Sequence, residues 1–195
     1  MAIVFVPVDI DDKDRIVRIG KWARQLSKEC NIGICVCSIQ MFNSEGVRFG
    51  KMYSSESTPG ASPLMHAERS AFEYAIKKTL VKQQVLSQTA LLSVQTNPGS
   101  ISQHFEGLGI KVIDCFCELP PCPSCLEWWE SLDRKFSNGT IFIKYLSEFE
   151  DYYGESPEDR MAKKTSEREY VPTSWKRKKA YQAYASQFTP REKID

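Results

Sequence analysis

Two short stretches, starting 55 positions apart, constrain this chain more than anything else in it: His66-Ala67-Glu68 and Pro121-Cys122-Pro123-Ser124-Cys125. Each opens a segment that reads as a helix. Ala67, Ala71, Tyr74 and Ala75 follow the first at helical spacing, and Leu126, Trp129, Leu132 and Phe136 follow the second. Cys122 and Cys125 are three apart, so both project from one face of a first helical turn. A helix N-terminus favours thiolates, the form a metal needs. His66, arriving from the other helix, completes three ligands and leaves the fourth tetrahedral position to water, as in catalytic rather than structural zinc sites. Zinc there lowers the pKa of its water. Glu68, two residues beyond the histidine, is free to carry protons between that water and a leaving amine. A fold that serves this pattern must bring two helix starts to one point.

The rest of the chain reads as α/β. A helix begins after Asp11-Asp12 and carries Ile16, Ile19, Ala23 and Leu26 on its inward stripe. Residues 32–40 and 47–53 read as strands joined by the turn Asn43-Ser44-Glu45-Gly46. Ser62-Pro63 reads as a helix start. Strands are expected at 89–95, 111–119 and 140–146, a short helix at 102–108, and a stop to the second ligand helix at Asn138-Gly139. Beyond residue 149 the composition turns charged. Ala180, Tyr181, Tyr184, Ala185 and Phe188 still form one helical stripe, so a docked C-terminal helix is expected. The division is therefore a zinc domain over 1–148 and a charged linker with a helix over 149–195.

The two motifs, with their order and the proline before the first cysteine, resemble the zinc-dependent cytidine/deoxycytidylate deaminase superfamily over roughly residues 11–146. The resemblance implies a three-layer α/β/α sandwich on a mixed sheet, with His66, Cys122 and Cys125 as zinc ligands and Glu68 as proton shuttle. It implies hydrolysis of a cytosine-type base to its uracil form with release of ammonia. Glu68-Arg69-Ser70-Ala71 is most similar to the free-nucleoside and nucleotide members. Free-nucleoside members commonly carry Asn-x-Glu-Asn before the histidine and follow the second cysteine with arginine and glutamine, where this chain has Ser54-Ser55-Glu56-Ser57 and Leu126-Glu127. Glu56 is the candidate acceptor for a ribose hydroxyl, and Ser54, Ala67 and Pro121 complete the implied substrate-binding set. The 95–110 stretch is longer than in the family and reads as a lid, a subunit contact or an inert excursion. The resemblance also implies a homo-oligomer whose neighbours complete each pocket.

Composition narrows the alternatives. With 26 basic and 25 acidic residues the net charge is +1, and no apolar run approaches the length of a membrane span, so a small-molecule partner is expected and a membrane is not. Seven cysteines with no export signal at the start point to a reducing, cytoplasmic setting. The basic block 176–179 keeps open a deaminase acting on single-stranded DNA or RNA, against a plain solvated helix face. Cys115, Cys117, Cys122 and Cys125 also have the spacing of a non-catalytic structural zinc module. In a strand, however, Cys115 and Cys117 face one side and read as small buried thiols around Phe116, as do Cys30, Cys35 and Cys37 elsewhere. Trp129 points inward on the helical period, and Trp128 is placed to reach a pocket or a partner. His104 has no motif partner and reads as solvated.

Overall fold

Strand residues are buried on both sides, as the unbroken buried run 36–41 shows, so the two faces of the sheet both need cover. A computed structural model describes residues 2–26, 35–57, 66–81, 94, 96–136, 138–168 and 173–188 of the chain. Its strands are β1 (Ala2–Val8), β2 (Val36–Asn43), β3 (Arg48–Glu56), β4 (Ile110–Cys117) and β5 (Thr140–Leu146), and its helices are α1 (Arg15–Leu26), α2 (Ala67–Ile76), α3 (Ser102–Gly107), α4 (Pro123–Asp133), α5 (Pro157–Ala162) and α6 (Trp175–Ala185). Among the described residues the strands form one mixed sheet in the order β1-β5-β4-β2-β3, with β1, β5 and β4 parallel and β2 antiparallel to both β4 and β3.

The hairpin follows from its turn. Asn43 Oδ1 accepts the amides of Glu45 and Val47 at 3.0 and 2.9 Å, and Gly46 takes φ +74°, a left-handed value that glycine adopts without strain. The edge strand β1 comes from the apolar start of the chain, where Ile3 pairs with Ile141 and Phe5 with Ile143. Pro7 is tolerated because, among the described residues, β1 pairs on one side only, with β5, and need not donate on both.

On one face, Cys37, Ile39, Met41, Ile113, Cys115, Cys117, Ile141 and Ile143 pack with Ala67, Ala71, Phe72 and Ala75 of α2 and with Trp128, Trp129 and Leu132 of α4. Of the 95–110 stretch, the described residues 96–110 contribute to this core: Ile101 and Phe105 are fully buried, and the Phe105 ring lies 5.5 Å from that of Phe136. Trp128 is buried here too, its Nε1 donating to the Val94 carbonyl at 3.1 Å, so it serves the core and not a pocket. Cys115 and Cys117 are buried as expected.

The opposite face is covered by α1 and α6. Ile16, Val17, Phe116, Leu146, Phe149, Tyr152, Tyr181 and Tyr184 form its cluster. The buried stripe of α1 is Ile16, Val17, Gly20 and Arg24, rotated from the expected one. Two causes act together. Gly20 lets the helix close on Phe116, whose ring would meet an added Cβ at 2.4 Å, and Arg24 enters the interior because Glu118 pairs with it there. Along α6, Tyr181, Tyr184 and Ala185 are buried and Ala180 is exposed. His104 is half-buried on α3. The expected helix start at Ser62-Pro63 and the expected strand at 89–95, Val94 apart, lie outside the described residues, as does Cys30. No described helix is long and apolar enough to cross a membrane.

Candidate metal centre

Two helices begin at the same place, each capped by a metal-binding residue type. His66 is the N-cap of α2, with extended dihedrals (φ −69°, ψ 148°) and no capping bond from its ring, which leaves the imidazole available. Cys122 is the N-cap of α4 with nearly the same dihedrals (φ −66°, ψ 164°), and Pro123 sets the first helical position behind it. Cys125 stands in the first turn of that helix. His66 Nδ1 lies 3.1 Å from Cys125 Sγ and 3.2 Å from Cys122 Sγ. The three ligand atoms fall within 4.8 Å of one another, and this is the one such group among the described histidines, cysteines and acidic residues. It can hold a metal ion.

The donor set fits zinc. Tetrahedral bonds of ordinary Zn–S and Zn–N length separate a nitrogen from a sulfur by about 3.6 Å. The observed separations are a few tenths of an ångström tighter, which small side-chain rotations open. One imidazole and two thiols are also borderline-soft donors of the kind zinc prefers over magnesium or calcium.

Hydrogen bonds couple the three groups. Hydrogen bonding with Cys125 pulls the Cys122 thiol well below its usual range against the cost of burial, and His66 adds to this. The same contact with Cys122 raises His66, again against burial. Burial pushes the Cys125 thiol up. Glu68, on the first turn of α2, is only 5% exposed; burial raises its carboxyl to about 7, and the negative charge of Cys122 adds to the effect. It is therefore a carboxyl poised near neutrality at the edge of the His/Cys/Cys group, the range suited to general acid–base work.

The loop that carries Cys122 is gripped from two sides. Arg69 of α2 donates through Nη2 to the Ser124 carbonyl at 2.6 Å and stacks its guanidinium 5.9 Å from the Trp128 ring centre. Arg160 of α5 donates through Nη1 to the Pro121 carbonyl at 2.9 Å. Sequence reasoning missed Arg160, since a lone arginine in a charged stretch carries no signal of burial. It also missed Tyr153, which burial pushes well above the usual phenol range and which feels the charges of Cys122 and Glu68 from its place against Arg160.

His66, Glu68, Cys122 and Cys125 thus come together. The other named residues are placed differently. Ala67 is buried in the core below the site. The carbonyl of Pro121 is taken by Arg160. Ser54 pairs with Ser38 and Glu56 with Val36, so the register sets both on the face of Ser38 and Phe116, beneath α1; Ser55 between them shares the face of Cys37 and Cys117. Cys115 and Cys117 do not join the His66 group. Cys117 Sγ lies 3.1 Å from Cys35 and Cys115 Sγ 3.4 Å from Cys37. A cleft of about 450 Å³ opens between Ile10, Lys21, Glu148, Tyr184 and Phe188, on the other face of the sheet, and holds no comparable chemistry. Searches against protein-family models and curated proteins find no match to this chain.

Proposed function

We propose that this protein is a zinc-dependent hydrolytic deaminase, converting the cytosine-type base of a free nucleoside or nucleotide to its uracil form, on a cytidine-deaminase-like α/β/α sandwich. The observation that carries the reading is the buried Glu68 beside His66, Cys122 and Cys125 at the paired starts of α2 and α4. His66 would hold the ion through Nδ1 and the two cysteines through their thiolates. Bound there, zinc supplies a Lewis acid that makes water nucleophilic at neutral pH.

The chain's own residues do the rest. Glu68 accepts a proton from water at a carboxylate oxygen and passes it to the ring nitrogen beside the reacting carbon. It then takes the remaining proton from the added hydroxyl oxygen and delivers it to the departing amine, so that water and the amino base become ammonia and the oxo base. A carboxyl buried beside the ion's ligands is placed to do both. Arg69 keeps the ligand loop against α2, which fixes the carboxyl relative to the thiols. Free thiols at this site, and at Cys35, Cys37, Cys115 and Cys117, suit a reducing compartment.

A polynucleotide substrate is the second reading, favoured by Trp175, 72% exposed beside Lys176 and Lys178, with Lys179 Nζ 4.8 Å from its ring centre. Ammonia release from cytidine, deoxycytidine, their mono- and triphosphates, adenosine, guanine and a cytosine-containing oligonucleotide separates the two. Turnover of one small substrate, lost in Glu68→Ala with zinc retained, supports the first reading. Activity on the oligonucleotide alone supports the second. Undiminished turnover in Glu68→Ala rules out the mechanism for either.

A further inference from the structure

We infer that Arg160 is a positioning residue of the metal centre, through which the C-terminal segment holds the Cys122 loop in metal-binding geometry. The inference rests on the reading of His66, Cys122 and Cys125 as metal ligands. Arg160 is 1% exposed, although it belongs to a six-residue helix in a charged stretch beyond the last strand. Its Nη1 donates to the Pro121 carbonyl at 2.9 Å, its Nη2 to the Glu155 carbonyl at 3.0 Å, and its Nε lies 3.6 Å from the Glu155 carboxylate. The guanidinium is backed by the Tyr153 ring, 5.4 Å from its centre.

Pro121 immediately precedes Cys122. Its carbonyl belongs to the peptide plane that also carries the Cys122 amide, so fixing that oxygen fixes the backbone orientation from which Cys122 Sγ reaches His66. Arg69 does the same from the far side through Ser124. Each carbonyl is met by a planar guanidinium that also holds a second group, so neither plane can turn without breaking a bond inside the protein. Burying an arginine costs free energy unless its donors are used. Here they are spent on the backbone of the ligand loop and of its own segment.

Docking of α5 does not rest on this contact alone. Arg168, just after it, makes a bidentate pair with Glu130 of α4 at 2.6 and 2.7 Å and also binds the carbonyl of Arg160. The two arginines therefore divide the work: Arg168 secures the segment, and Arg160 orients the loop. Groups that orient a metal's ligands are typically worth about 10–100-fold in metal affinity.

The test uses cobalt(II) on the full chain stripped of metal, reading the thiolate-to-cobalt absorption band and the affinity against a chromophoric chelator. Arg160→Met keeps the apolar stem and removes the donors. It is expected to weaken cobalt binding by about 10–100-fold and to shift the band. Arg160→Lys, which keeps one donor within reach of Pro121, recovers part of both. Arg168→Met, which loosens the segment but leaves the bond to Pro121 in place, weakens binding less than Arg160→Met does. Should Arg160→Met not fold, Arg160→Lys decides alone: binding measurably weaker than wild type, with a shifted band, upholds the inference. Wild-type affinity and spectrum in the folded Arg160 variants overturn it, as does equal weakening in Arg168→Met. A wild type that binds no cobalt overturns the metal reading itself, and the inference with it.

Discussion

Arg24 of α1 and Glu118, the residue after β4, form an ion pair from which water is fully excluded. Arg24 Nε donates to Glu118 Oε1 at 2.7 Å, and Tyr181 and Tyr184 of α6 donate to the same carboxylate at 2.8 and 3.2 Å, with the Val36 amide at 3.0 Å. Burial alone would lower Arg24, but hydrogen bonding to Glu118 wins and raises it. One carboxylate thus ties α1, β2 and α6 to the strand that leads into the ligand loop. Arg24→Met leaves that carboxylate buried without its cation, which costs about 3–5 kcal/mol and lowers Tm by on the order of 10 °C for a chain of this size. Tyr184→Phe removes one neutral donor and costs about 1 kcal/mol. Urea unfolding of the two variants should rank them in that order; equal losses would mean that the cation contributes no more than a single hydroxyl.

Gly20 sets a contest between two effects of opposite sign. Replacing a helix-interior glycine by alanine ordinarily stabilises by about 0.5–1 kcal/mol. Here the new methyl would stand 2.4 and 2.5 Å from two ring carbons of Phe116. That ring is fully buried, and overpacking of this kind costs about 1–3 kcal/mol. Gly20→Ala should therefore destabilise, and Gly20→Ala with Phe116→Leu should recover most of the loss. A more stable single variant, by thermal or urea unfolding, would contradict the close approach of α1 to β4.

The residues that could be read from the sequence are those whose neighbours are local. The hairpin at Asn43–Gly46, strand β5 and the helical periods after Glu68 and Cys125 depend on spacing and turn chemistry within a few residues, and each appears where expected. The convergence of His66 with Cys122 and Cys125 was legible for a different reason, since three such donors in that order have few other uses. What was missed is non-local. Strand β1 exists because β5, more than 130 positions later, offers it an edge. Arg24 was left off the inward stripe of α1 because an arginine is buried only beside a counter-charge, and nothing local announces Glu118. Arg160 was invisible because the carbonyl it meets, that of Pro121, lies 39 positions earlier.

Lys144 holds two aspartates that should titrate apart. Its Nζ donates to Asp14 at 2.6 Å and to Asp114 at 2.8 Å. For Asp114 burial dominates and raises the carboxyl above the usual range despite Lys144. For Asp14 burial also acts upward, but the hydrogen bond and charge of Lys144 prevail and lower it. The signs for stability are therefore opposite. Asp14, with its folded pKa depressed, contributes stability above its unfolded pKa of about 4 and loses it as pH falls through the folded value. Asp114 contributes most below that pKa and loses it as pH rises through its raised value. Carbon-detected NMR titration of the side-chain carboxyls should find Asp14 ionising first, and Asp14→Asn should flatten the acid limb of the stability curve. Coincident titrations, or an unchanged acid limb, would remove the assigned role of Lys144.

Zinc content in a small set of variants tests which residues hold the metal. With His66, Cys122 and Cys125 as ligands, His66→Ala and Cys125→Ser lose zinc, whereas Cys117→Ala keeps it, because Cys117 lies against Cys35 on the sheet. A four-cysteine structural site predicts the reverse for His66 and Cys117. Glu68→Gln should keep stoichiometric zinc, since its carboxyl is no ligand in the proposed set, and should lose turnover by about 10²–10⁴-fold, the usual worth of a general acid–base. The stripped wild type should regain activity on adding zinc back, and His66→Ala should not. Metal analysis after exhaustive dialysis reads the first three variants without any substrate in hand. Zinc kept by His66→Ala and lost by Cys117→Ala would therefore exclude the proposed site before its activity had been assayed.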